Sequence, residues 1–523
     1  MHNNRTTSCR LMVLILCVIA GLPAASSQAD ILLPAVISDN MVLQAGDRAR
    51  LWGWADPNEE IEVGISWRDF TWCIQADDTG KWEFLLNSPD VGGPYQITLK
   101  GKNTVTIRNI LAGQVWVCSG QSNMQMSVNQ VLNAENEIAA AGYPKIRLFT
   151  VERRVAEEPQ DDCKGKWVEC SPETVGGFSA AGYFFGRELH KELKQPIGLI
   201  HTSWGGTPAE AWTSMPRLEE NPNFEPIVTR YKQAVAVYPE AMAKYKQDLA
   251  KWEEAAAKAK AGGKPAPGGR PNPPMGPGHY QSPAGLYNAM IAPLLPYTIC
   301  GAIWYQGESN AGRAYQYREL FPTMIKCWWD DWRQADFPFL FVQLANYMEV
   351  KDAPGDSAWA ELREAQTMTL DIPNTGMAVA IDIGEAKDIH PKNKQDVGKR
   401  LALWALANTY GVNVVYSGPL YKSMQKSGNK IVLRFEHCDG GLVAKGGEPL
   451  KGFVIAGEDR KFVRADARIE GDTVVVGSEQ VAEPAAVRYA WADNPVCNLF
   501  NKAGLPASPF RTDTWPGTTA NSK

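Results

Sequence analysis

Four short stretches of this chain carry residue types that together suit acyl transfer. The first, Val117-Cys118-Ser119-Gly120-Gln121-Ser122-Asn123-Met124, extends the apolar triplet Val115, Trp116 and Val117 and then turns polar. A serine leaving a strand in this way can present its hydroxyl as a nucleophile, Gly120 permits a tight turn, and the free amides that follow can face an anion. The second, Ser203-Trp204-Gly205-Gly206-Thr207, places paired glycines after the apolar run 196–200, where a bare amide can approach a substrate oxygen. The third, Tyr305-Gln306-Gly307-Glu308-Ser309-Asn310, follows Gly301-Ala302-Ile303-Trp304 and offers a carboxamide donor at Asn310. The fourth, Asp388-Ile389-His390-Pro391, sets a histidine in a loop ahead of a helical pattern. Beyond residue 29 the histidines are His190, His201, His279, His390 and His437, and only His390 lies beside an acid and a proline in such a loop. Singly, each stretch has an ordinary structural explanation, a turn glycine or a capping asparagine. Their joint occurrence as nucleophile, two oxyanion donors and base is what points to chemistry.

Such residues must be positioned by elements, and the pattern divides the chain into regions. From 30 to 110 short strands alternate with turns such as Pro57-Asn58 and Asp78-Thr79-Gly80, which predicts a small N-terminal β-sandwich. From 111 to 411 mostly apolar strand-length runs alternate with helical stretches, as a parallel sheet covered on both faces would require. In an open sheet of this kind ligands gather beyond the carboxyl ends of the strands, where the first three stretches fall. Residues 216–283 interrupt the alternation with an alanine-, lysine- and glutamate-rich helical segment and a Pro/Gly-rich connector. This insertion is either a cover over a cleft or a solvated excursion. From 415 to 523 β-type segments return, predicting a C-terminal β domain.

Composition narrows the function classes. A chain of 523 residues exceeds a single core, and its 44% hydrophobic and 21% charged residues are those of a globular protein. A formal net charge of −5 without runs of like charge gives no reason to expect nucleic acid or an anionic membrane as partner. Arg5 and Arg10, the apolar run 11–22 and a small-residue exit to Ala29 read as a signal peptide over 1–29. Export to the periplasm or medium, with no membrane span after cleavage, follows as an expectation. Eight cysteines remain, and Cys163 with Cys170 is the one pair close enough in sequence to suggest a bridge. No metal is expected, since neither a CxxC motif nor histidine-rich ligand spacing occurs. Nothing in the residues sets the oligomeric state.

The segments GQSNM, SWGGTPAEAW, YQGESNAGRAYQYRELFP and DIHPKNKQDVGKRLALWALA, with LPAVISDNMVLQ near the start and GLPASPFRTD near the end, resemble the sialate O-acetylesterase family of carbohydrate esterases in the SGNH hydrolase superfamily. The resemblance implies an α/β fold, a flavodoxin-like SGNH hydrolase domain with a parallel sheet flanked by small N- and C-terminal β domains. It implies a serine esterase that removes O-acetyl groups from sugars, O-acetylated sialic acid first among them, through an acetyl-enzyme and without a cofactor. Acetylxylan or another acetylated carbohydrate is the alternative substrate, and a non-catalytic carbohydrate-binding protein the alternative class. Carried over by position, Ser122 is the nucleophile and His390 the base, and the amides of Ser122 and Gly206 with the Asn310 side chain form the oxyanion hole. Gln121, Gln306, Glu308, Arg363 and Gln366 are the substrate-binding candidates, Arg363 for a sugar carboxylate.

The superfamily commonly spaces its aspartate three residues before the histidine, whereas Asp388 and His390 are separated by one residue. At that spacing either Asp388 completes a triad or a main-chain carbonyl orients the ring, with Asp382 and Glu385 as substitutes. The spacing predicts that Asp388→Asn will lose far less p-nitrophenyl acetate hydrolysis than His390→Ala. Equal losses would refute the dyad.

Overall fold

The computed structural model describes residues Asp30–Lys523, so the expected signal peptide lies outside the described residues. Seven strands open the chain: β1 Val42–Gln44, β2 Arg48–Trp54, β3 Glu60–Ile65, β4 Thr71–Gln75, β5 Lys81–Asn87, β6 Gly92–Lys100 and β7 Thr104–Gly120. β2 and β5 pair with each other, while β1, β3, β4, β6 and the first half of β7 form a facing sheet. Ile61, Val63, Leu51, Trp82, Ile97 and Leu99 are buried in the core of this N-terminal region. Strand β7 passes position 110 without a break, and its second half is the centre of the next sheet.

That sheet adds β8 Tyr143–Thr150, β9 Trp167–Cys170, β10 Ile197–Ser203, β11 Gly301–Tyr305, β12 Phe339–Gln343 and β13 Thr375–Val379 in the order β13-β12-β11-β7-β10-β8-β9. All neighbours are parallel except β8 and β9. The strands β10-β7-β11-β12-β13 thus run 2-1-3-4-5 in chain order, the flavodoxin-like winding, and β8 and β9 extend it at one edge. Because helices cover both faces, the central strands are mostly apolar, and β10, β11 and β12 are buried throughout. Helices Ala180–Leu193 and Lys394–Asn408 pack on one face, and Ala314–Trp332 with its tryptophans on the other.

The insertion is helical over Met215–Glu220, Glu225–Ala236 and Tyr238–Ala261, and the last of these buries no residue. Two four-stranded antiparallel sheets between Leu420 and Arg511 enclose a separate C-terminal core around Leu433, Ile455, Val476 and Tyr489. Every described cysteine is free, so the Cys163–Cys170 bridge expected from their spacing is not formed. The two belong to cores on different sides of the sheet, and Cys170 donates its thiol to the Ala141 carbonyl.

One buried side chain joins the C-terminal region to the sheet. Arg363, on helix Ala358–Met368, is fully buried and donates to the carbonyls of Leu344, Ala345, Ala492 and Asp493 at 2.7–2.9 Å. The guanidinium expected to meet a sugar carboxylate is therefore spent on the main chain, because the ends of two segments far apart in sequence converge on it. Arg363→Met would orphan these carbonyls, and we expect it to lower stability by about 3 kcal/mol or more in urea unfolding. An unchanged midpoint would remove Arg363 from this joining role.

Candidate active site

Gly120, Ser203 and Tyr305 are in register across β10, β7 and β11, so three of the four sequence stretches leave the sheet at one level. Gly120 has φ +139°, and a Cβ there would come within 2.2 Å of the Tyr305 carbonyl. This close approach lets the Gln121 amide donate to that carbonyl at 3.0 Å and starts the short helix Ser122–Gln125 directly at the sheet edge. Ser122, half-buried, is its first residue. Ser179 caps the helix Ala180–Leu193 and donates its hydroxyl to the Met124 carbonyl at 2.6 Å, fixing the turn from the other side.

The oxyanion candidates lie around this turn. A Cβ on Gly205 would stand 3.1 Å from Ser122 Cβ, so the glycine turn after β10 abuts Ser122. The Gly205 amide is already spent on Gln125 Oε1 at 2.7 Å, whereas the amides of Ser122 and Gly206 meet no acceptor among the described residues. Asn310 is buried, with its Oδ1 accepting from the Ala209 amide at 2.9 Å and from Gln306 Nε2 at 2.7 Å. Its Nδ2 donates one hydrogen to Glu210 Oε2 at 3.0 Å, and Glu210 in turn holds Arg313 at 2.5 Å. The second Nδ2 hydrogen has no partner among the described residues.

His390 reaches the same point through its neighbours rather than through its ring. Asn123 Nδ2 donates to the Ile389 carbonyl at 3.0 Å and to Glu308 Oε1 at 2.6 Å. Lys394, fully buried, donates to Asn123 Oδ1 at 2.7 Å and to the Pro391 carbonyl at 2.6 Å. Residues 122 and 390 are thus each one position removed from a single hydrogen bond between their loops. The Ser122 hydroxyl and the His390 ring are not hydrogen-bonded to one another in this structure, in which the ring contacts Asp388.

Asp388 does reach the ring despite the short spacing. Its Oδ1 accepts from the His390 amide at 2.9 Å and lies 3.2 Å from Nδ1, because the chain folds back on itself between them. The amide bond, with the ring contact behind it, holds the Asp388 carboxyl below its ordinary value. Asp382 is taken by a two-pronged pair with Arg400 at 2.6 and 2.9 Å, and Glu385 accepts from the Lys392 amide, so neither substitutes.

The remaining sequence candidates hold the frame. Gln121 accepts from the amides of Gly307 and Ser309, Gln306 donates to Asn310 and accepts from Tyr317, and Gln366 ties the ends of β11 and β12 together. Glu308 keeps one buried carboxylate oxygen without a partner, and burial raises its pKa. Sequence reading assigned no role to Asn123 or Lys394. A lysine in the first turn of a helix that buries Val397, Leu401 and Ala405 was the available signal for the last of them. Among the described residues no group of three His, Cys, Asp or Glu side chains is placed to hold a metal ion.

Two consequences can be measured. Burial pulls the Lys394 amine from 10.5 down to about 7, so between these values the unfolded chain binds more protons and stability rises with pH. The melting temperature of the wild type relative to Lys394→Met should climb over that interval, and a flat difference would contradict the burial cost. Loosening the loop should also lower kcat for p-nitrophenyl acetate about 10- to 100-fold in Asn123→Ala and Lys394→Met, with KM little changed. Asp388→Asn should cost about 10- to 100-fold, the loss of one charge-assisted hydrogen bond, and His390→Ala considerably more.

Comparison with known proteins shows the family. A family model described as a carbohydrate esterase, sialic acid-specific acetylesterase, matches residues 112–247 and 278–407, leaving out only part of the insertion between them. The sialate O-acetylesterases of Homo sapiens and Rattus norvegicus are each 31% identical, over 93% and 91% of this chain and 94% and 93% of their own. A solved carbohydrate acetylesterase from Xanthomonas citri is 38% identical and superposes with a TM-score of 0.79 over 93% of this chain and all of that one. On this sequence and structural likeness the chain belongs to the sialic acid-specific acetylesterase family and is a carboxylic ester hydrolase.

Proposed function

We propose that this enzyme removes acetyl groups from O-acetylated sialic acid through an acetyl-serine intermediate. The supporting observation is the Asn123 bond to the Ile389 carbonyl, which ties the loop of the nucleophile to the loop of the base. Ser122 Oγ attacks the acetyl carbonyl while its proton passes to Nε2 of His390. Asp388, accepting from Nδ1–H, keeps that tautomer and steadies the imidazolium. The carbonyl oxygen becomes an oxyanion held by the amides of Ser122 and Gly206 and the free hydrogen of Asn310 Nδ2. Collapse breaks the bond to the sugar oxygen, which leaves with the proton from His390. Water, deprotonated by the same ring, then cleaves the acetyl-serine to acetate.

Export to the periplasm or medium after loss of residues 1–29 fits this reading; among the described residues no helix is long and apolar enough to cross a membrane. A different acetylated carbohydrate, xylan among them, is a second reading, favoured by the likeness to the Xanthomonas citri carbohydrate acetylesterase. Acetate release from O-acetylated sialic acid should exceed release from acetylated xylan, and the opposite order would reassign the substrate. Ser122→Ala should abolish both, and Asn310→Ala should lower turnover by about 100- to 1,000-fold. A wild type that a fluorophosphonate fails to label would overturn the acetyl-serine intermediate.

A further inference from the structure

Most polar side chains around Ser122 are committed to one another, but one row beside it is not. Trp204 leads directly into Gly205, the residue that abuts the nucleophile. Its ring stacks on Tyr280 at 5.6 Å and 17°, and Tyr280 stacks on His279 at 4.7 Å and 29°. The guanidinium of Arg153 lies 5.6 Å from the centre of the Trp204 ring. Arg153 is exposed and the three rings are half-buried. The Gln281 amide donates to His279 Nδ1 at 3.2 Å, which leaves the ring proton on Nε2. The Arg153 guanidinium, Trp204 Nε1–H, Tyr280 hydroxyl and His279 Nε2–H then have no hydrogen-bond or ion-pair partner among the described residues.

The row is also fixed relative to the reacting atoms. Gln281 Nε2 donates to the Gly206 carbonyl at 2.6 Å, and a Cβ on Gly206 would meet the Tyr280 ring at 3.7 Å. The end of the insertion is thereby built into the wall of the site, next to an oxyanion amide. Chemically the row offers hydrogen-bond donors and ring edges, with no carboxylate of its own. Such a surface suits an acceptor-rich anion: a guanidinium takes a carboxylate with two parallel bonds, and the N–H and O–H groups at the ring edges donate to the oxygens of a sugar acid.

We propose that Arg153, Trp204, Tyr280 and His279 form the sugar subsite, with Arg153 receiving the carboxylate of a sugar acid whose acetyl ester reaches Ser122. The direction of the ester rests on the esterase reading above; binding of the acid does not. The test uses full-length Ser122→Ala protein and compares N-acetylneuraminic acid with its methyl ester by titration calorimetry. The acid should bind about 10- to 100-fold more tightly than the uncharged ester. Arg153→Ala in the same background should erase that difference, Arg153→Lys should restore part of it, and Tyr280→Ala should weaken both ligands. Equal affinities for acid and ester, no binding of the acid, or an Arg153→Ala protein of unchanged melting temperature and unchanged affinity would each overturn the subsite. Expected binding without acetate release from O-acetylated sialic acid would remove that substrate and keep the subsite, and release without dependence on Arg153 would do the reverse.

Discussion

The site depends on one buried carboxamide. Asn123 uses both ends of its side chain, giving hydrogens to the Ile389 carbonyl and Glu308 and accepting one from Lys394. Three loops that follow β7, β11 and β13 therefore meet at a single group. Polar atoms withdrawn from water are costly unless paired, which is why such a junction, once satisfied, admits few alternative arrangements. The cost is visible in its charged members: burial pushes the Glu308 carboxyl up and the Lys394 amine down, each toward its uncharged form.

Sheet winding makes this meeting possible. With β10 on one side of β7 and β11 on the other, the carboxyl end of β7 is the point where the winding changes direction. Register then matters as much as topology. Gly120 lies level with both Ser203 and Tyr305, and the missing side chain at position 120 lets the next amide bond across to β11. A shift of one residue in either pairing would carry the serine turn away from the glycine turn that abuts it.

Much of this was legible before any coordinates. Alternating apolar runs and helical stretches announced the parallel sheet, and three polar strand exits with the loop of His390 marked the segments that meet at the candidate site. What pattern reading could not supply was direction. Arg363, Gln121, Gln306 and Gln366 stand in or near the right motifs, yet their polar atoms turn into the framework, since long-range hydrogen bonds choose among side-chain orientations that sequence leaves equal. Asp388 shows the converse: a spacing that looked too short is bridged by the chain folding back, a local geometry that residue counting does not encode. Cys163 and Cys170 were near in sequence but lie in separate cores. The stacking of Trp204 on Tyr280 went unread because it joins residues from two distant stretches.

Strand β7, at 17 residues, is about three times the usual length. It is a common beam for two sheets, and hydrogen bonds to β1 and β6 along its first half continue into bonds to β10 and β11 along its second. Cutting the chain near its midpoint would not release two finished modules. It would expose the apolar core that the two regions share, in which Val42, Leu43 and Ile110 cluster with Val115, Val117 and Ile200. The amino-terminal region is thus a structural member of the hydrolase, and exchanging it between relatives would require carrying the whole beam along.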